Sequence, residues 1–237
     1  MGAVYRLTVR QLAGGWRLLI MAGLAAGPVL FTMLVLSAGG SPRVDQFEQV
    51  VIDAMLAGAI LPLIVLASAA AAFSNELEDK TLANLTLAPI ARWRIVLPKL
   101  LAALTVAAPF VVLSTLAVSY LAYLGDGRAV LAVTLAAFIG VLLYSAFFLW
   151  LGLKSTQAMG IGLLYVVVWE GFFTGLVSGA RVLSLRHYAA SLMHGFDSRR
   201  FATETMLSFP AAVVMAVLVV AGFLWLSVRR LRKMDVP

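Results

Sequence analysis

The sequence predicts an all-α membrane protein, a single transmembrane domain covering residues 1–237 that crosses the bilayer six times. Three observations carry this. Charged residues make up only 12% of the chain, against about 25% in soluble domains, too few to coat a soluble core. Hydrophobic residues make up 62%, and the mean hydropathy is +1.00. The apolar residues are gathered into runs of about 20, the length that a hydrocarbon core requires.

The runs cover residues 18–38, 50–73, 95–124, 129–153, 158–177 and 207–228. They are apolar on all faces, whereas the strands of a membrane β-barrel are about 10 residues of alternating polarity. Helices follow. The first run is too long for the apolar region of a cleaved signal peptide, about 7–15 residues, and it contains Pro28, so it reads as an uncleaved span. Before it, residues 1–17 hold Arg6 and Arg10 among apolar neighbours, the pattern of an amphipathic helix lying on the cytoplasmic membrane surface, with a frayed terminus an equal reading.

Net charge is +7 and the isoelectric point about 10.1, but the bases flank apolar runs and form no single patch, so nucleic acid is not an expected partner. Lys and Arg stay on the cytoplasmic side of membrane proteins. With the N-terminus inside, 12 of the 18 basic residues fall inside, including Arg17, Arg92, Arg94 and the cluster Arg229, Arg230, Arg232 and Lys233. Both termini are therefore expected in the cytoplasm. The absence of cysteine excludes disulfides and thiol chemistry.

Two connections are long enough to carry function: 74–94 on the inside and 178–206 on the outside. The inside connection places the acids Glu76, Glu78 and Asp79 before the bases Arg92 and Arg94, with Leu82 and Leu85 between them at helical spacing. Ser74 or Asn75 is expected to cap a short amphipathic helix that Pro89 ends. Acids facing an anionic leaflet are unfavourable, so a protein partner accepting both leucines and carboxylates explains the pattern better than lipid headgroups do.

Glu170 is a charge near the middle of an apolar run. Intramembrane carboxylates face a bundle interior or water and mark function by default, yet a group hydrogen-bonded between helices is an equal reading. Gly171, Gly175 and Gly179 recur every four residues, and Gly23 and Gly27 make a second small-residue face beside Pro28. Such faces permit close helix packing. His187 and His194, seven apart in the outer segment, lack the further ligands a metal site needs. Asp53 reads as an outer-boundary residue. No catalytic constellation is present, and Leu153-Lys154-Ser155-Thr156 lacks the glycines of a phosphate loop, so ATP hydrolysis is not expected in this chain.

The run Glu78-Asp79-Lys80-Thr81-Leu82, continued by Leu85, Pro89, Arg92 and Lys99, resembles the segment between spans two and three of ABC-2-type transporter permeases. Ala83 departs from the family pattern, where Glu is usual, as does Lys80, where Gly is common. Trp169-Glu170-Gly171 is similar to their fifth span, which a re-entrant outer hairpin follows. The resemblance implies the membrane subunit of an ABC exporter, multi-pass in the plasma membrane. It implies a coupling helix at 74–94 formed by Glu76, Glu78, Asp79, Thr81, Leu82, Leu85, Pro89 and Arg92. Two copies of a separate ABC ATPase, carrying ATP and Mg, would dock there. A second permease subunit would complete a homo- or heterodimer, with the glycine faces as candidate dimer or pathway surfaces. An apolar pathway implies a hydrophobic or amphipathic substrate. A haem-export-type permease is a variant of this reading. From another class, an ATPase-independent intramembrane enzyme or proton-coupled transporter would use Glu170.

Overall fold

The computed structural model describes residues 2–38, 44–79, 91–174, 183–198, 201 and 207–234. The described residues are helical throughout, without strands. In chain order they form α1 (Gly2–Leu12), α2 (Gly15–Ser37), α3 (Glu48–Glu78), α4 (Trp93–Ala122), α5 (Gly127–Lys154), α6 (Ala158–Phe173), α7 (Leu185–Phe196) and α8 (Phe209–Lys233). Five of these are long and apolar enough to cross a membrane: α2, α3, α4, α5 and α8. The fifth apolar run of the sequence yields the shorter α6, a described helix of 10–17 residues.

The bundle is built around α5. Half of its most apolar window is buried, against 22% for α2 and 17% for α8, so α5 is the central post and the other two are peripheral. It packs on α3, α4, α7 and α8. Asp126 starts it, accepting the Ala129 N–H at 3.2 Å, after a turn in which Gly125 takes φ +92°, a conformation that favours glycine. Helix α1 lies along α4, burying Leu12 and donating or accepting a Tyr5–Thr105 hydroxyl bond of 3.0 Å.

Helix α3 changes register along its length. Glu48–Ile60 is π-helical and Leu61–Ala69 is α-helical. The Leu61 N–H reaches back to the Leu56 carbonyl, and Pro62, which has no N–H to give, occupies the first turn of the α-helical part, where none is needed. In α2, Pro28 lies within the helix, and Ser114 of α4 donates at 2.6 Å to the neighbouring Ala25 carbonyl. Neighbouring hydroxyls are the usual means by which a membrane helix tolerates proline.

Glycine permits the tightest contacts. A Cβ on Gly152 of α5 would collide with the Ala70 carbonyl of α3, and one on Gly162 of α6 with Leu66. By contrast, a Cβ on Gly23 would meet nothing within 4 Å, and one on Gly27 only the Met55 methyl at 4.0 Å. Among the described residues, the expected small-residue face of α2 therefore makes no close packing contact. Gly152→Ala is expected to lower thermal stability in detergent by about 1–3 kcal/mol through overpacking against backbone. Gly23→Ala should leave protomer stability unchanged in the same measurement.

Candidate functional site: two buried carboxylates and an acidic helix end

The first site lies where α3 ends and α4 begins. Helical structure runs through Ala71–Glu78 without a side-chain cap, so the helix start expected at Ser74 or Asn75 does not occur there. The reason is tertiary: the second span continues unbroken into the polar segment, and Ser74 is buried on it. This continuation turns Glu76 inward, where it is 5% exposed and pairs with Lys99 Nζ at 2.6 Å. Lys99 is fully buried. It also donates to the Ala72 carbonyl and lies 4.4 Å from the centre of the Phe73 ring. One ammonium thus joins α4 to three residues of α3, Ala72, Phe73 and Glu76, within about one and a half turns.

Glu78 and Asp79 are exposed at the end of the same helix. Arg92 precedes the first turn of α4, and its carbonyl accepts the Ile95 N–H at 3.0 Å. Lys80, Thr81, Leu82, Leu85 and Pro89 lie outside the described residues. The structure thus divides the expected coupling residues by location. Glu78 and Asp79 face outward, whereas Glu76 is taken up inside the protein. Sequence reasoning counted Lys99 as an inside charge and as part of the run that resembles the permease segment, and assigned it no partner. Its signal was available: a lysine one to two turns within an apolar helix needs a partner.

The second site surrounds Glu170, which is 1% exposed. Its Oε1 accepts from the Tyr165 hydroxyl at 2.8 Å and from the Leu185 N–H at 2.9 Å, and its Oε2 accepts from the Ser184 hydroxyl at 2.5 Å. Ser184 is itself the N-cap of α7, accepting the His187 N–H at 3.1 Å. Glu170 therefore sits at the N-terminus of α7, where the helix dipole and an otherwise unpaired N–H stabilise a negative charge. Such a helix end binds anions readily. Here the chain's own carboxylate fills it. Tyr144 of α5 is buried beside the same carboxylate.

Helix α7 also meets α5 near its midpoint, since Ala189 borders Gly140 of α5. By helical rise, Gly140 stands roughly 20 Å from either end of that helix. At its other end, Gly195 of α7 abuts Phe209, the first residue of α8. Arg186 projects sideways over Gly58 and forms a two-pronged ion pair with Asp53, Nε to Oδ1 at 2.9 Å and Nη2 to Oδ2 at 2.5 Å. His194 bonds the Phe201 carbonyl at 3.1 Å, a structural contact. Among the described residues there is no group of three His, Asp or Glu suited to a metal.

Of the glycine series, Gly171 has only its own helix nearby, through the Val166 carbonyl at 3.6 Å from a built Cβ. Gly175 and Gly179 lie outside the described residues. The glycines that do pack tightly, Gly58, Gly140, Gly152, Gly162 and Gly195, carry no four-residue series that would have marked them.

No curated protein matches this sequence. The family described as ABC-2 family transporter protein matches residues 13–179, which include the five helices α2 to α6 and both of the carboxylates just described. With its spanning-length apolar helices and this match, the chain is a multi-pass membrane protein that belongs to the ABC-2 transporter family, as a membrane component of ABC transport.

Proposed function

We propose that this protein is the permease subunit of an ATP-driven ABC exporter in the plasma membrane, with both termini in the cytoplasm. Two permease chains pair, as a homo- or heterodimer, and two copies of a separate ATPase bind ATP and Mg beneath them. The observation that carries the reading is the acidic end of α3. Glu78 and Asp79 are exposed there, on a helix bolted to α4 through Glu76 and Lys99. A partner that pushes on this end moves two long apolar helices together. Thr81, Leu82, Leu85, Pro89 and Arg92 belong to the same docking segment, and Glu76 serves it from within.

Six spans fit this arrangement, with α6 as the fifth and α7 as the returning limb of a re-entrant hairpin. Two contacts support that limb: Ala189 against the middle of α5, and Gly195 against the start of α8. The open glycine face at Gly23 and Gly27, and the outward Gly171, suit a permease–permease interface or a pathway for a hydrophobic or amphipathic substrate. Glu170 is an anchor in this reading. The hydrogen bonds to its carboxylate from Tyr165, Ser184 and the Leu185 N–H come from its own helix and the start of α7, which favours a structural part over proton-coupled transport or intramembrane catalysis.

Co-purification tests the coupling assignment. Reversing both exposed acids, Glu78→Lys with Asp79→Lys, is expected to weaken ATPase capture about tenfold or more while the permease stays folded, because like charges across an interface cost several kcal/mol. Undiminished capture by the double variant would refute docking at this helix end.

A further inference from the structure

Helices α6 and α8 each pack against α5 but make little contact with one another. Between them lies a cleft of about 290 Å³. Its walls include Phe147 of α5, Tyr165 and Trp169 of α6, Tyr188 of α7, and Val219 and Phe223 of α8. Among the described residues, no charged side chain lines it. The one carboxylate nearby, Glu170, is screened behind the Tyr165 hydroxyl that donates to it.

Its depth decides what can enter. Val219 and Phe223 straddle the midpoint of α8, each about ten residues, or roughly 15 Å, from an end of the helix. At that level the surroundings of a spanning helix are hydrocarbon, and water is absent. Elsewhere on their surfaces α6 and α8 carry further exposed apolar side chains, with Val167 at 60% and Leu218 at 59%. An unfilled gap of this size would forfeit dispersion contacts along every wall. Five aromatic rings present flat apolar surface to whatever occupies it, and the volume lies at the lower edge of the range of about 300–1,000 Å³ for ligand pockets.

We propose that this cleft holds one acyl chain of a bilayer phospholipid as a resident structural lipid, seated between the fifth and sixth spans. The chain enters sideways from the bilayer, replaces the missing α6–α8 contact, and packs against Trp169 and Phe223. This rests on reading α6 as a membrane span. It does not depend on the direction of transport or on the substrate.

The test uses the full chain reconstituted in phosphatidylcholine vesicles containing a rising fraction of lipid brominated in mid-chain, which quenches tryptophan by contact. The Trp169 signal is taken as wild type minus Trp169→Phe. It is expected to be quenched at a low fraction of brominated lipid. Val219→Phe fills the cleft from the α8 side and should shift the fraction needed about tenfold upward, as expected if about two methylenes are displaced. Leu183→Phe, at a further lining position just before α7, should act in the same direction if the first variant fails to fold. Quenching of Trp169 that is identical in both filled variants overturns the acyl-chain site and leaves the span intact. Absence of any Trp169 quenching overturns the site together with the reading of α6 as a span.

Discussion

Replacing Lys99 with Met is expected to destabilise the protein by about 3–5 kcal/mol, the usual cost of removing one partner from a buried ion pair. The substitution leaves the Glu76 carboxylate buried at 5% exposure and leaves the Ala72 carbonyl without its donor. The double variant Lys99→Met with Glu76→Leu should recover most of that loss, since an apolar pair of similar volume replaces a desolvated ionic one at little net cost. A double-mutant cycle on thermal stability in detergent measures this. Equal stability of wild type and Lys99→Met would show that the pair contributes nothing. If the helix end transmits force, the double variant should be stable yet deficient in ATP-dependent transport, because the hydrogen-bonded clamp between α3 and α4 is gone.

The second large effect is expected at Glu170. Glu170→Leu strands three donors: the Tyr165 and Ser184 hydroxyls and the Leu185 N–H. Each unsatisfied buried group costs about 1–3 kcal/mol, and partial rearrangement should leave a total of about 3–5 kcal/mol. Glu170→Gln retains one acceptor oxygen and should lose only about 1–2 kcal/mol, because it gives up the charge-assisted strength of these bonds. The comparison separates an anchor from a proton carrier. An anchor predicts graded loss of stability from Gln to Leu, read by thermal unfolding. A proton carrier predicts abolished transport in Glu170→Gln at unchanged stability.

Much of the architecture could be read from the chain. Each apolar run becomes a helix, because a stretch of about 20 apolar residues in lipid has no other way to satisfy its backbone. The polar connection after the second run was legible as a distinct segment, but its cap was not. Ser74 and Asn75 have the chemistry of capping residues, yet tertiary packing buries Ser74 within a continuing helix. The Lys99–Glu76 pair joins residues from separate helices, and no local pattern specifies that geometry. Glu170 was visible as an exceptional residue. Its partners were not, since Ser184 and Leu185 reach it only by returning along α7. The tight glycines at 152 and 162 were likewise hidden, for what selects them is the neighbouring Ala70 carbonyl and Leu66 side chain, and the spacing along their own helices carries no trace of either.

The Glu170 cap has a consequence for how the chain enters the membrane. Helix α6 is short, and a carboxylate within a lone apolar helix is costly to place in lipid; the figure for Asp, about 2.5–3.5 kcal/mol at a helix centre, sets the upper end of that cost for Glu170, which lies in the last turn of α6. The groups that neutralise this penalty, Ser184 and the Leu185 N–H, come about 15 residues later in the chain. During synthesis α6 therefore emerges before its own counterpart exists. It should linger at the insertion channel, or at the membrane surface, until α7 follows and the two enter as one unit. A cysteine placed in α6, in a chain that has none of its own, should then be open to water-soluble thiol reagents in ribosome-bound chains from which only α6 has emerged, and closed to them once α7 has emerged as well.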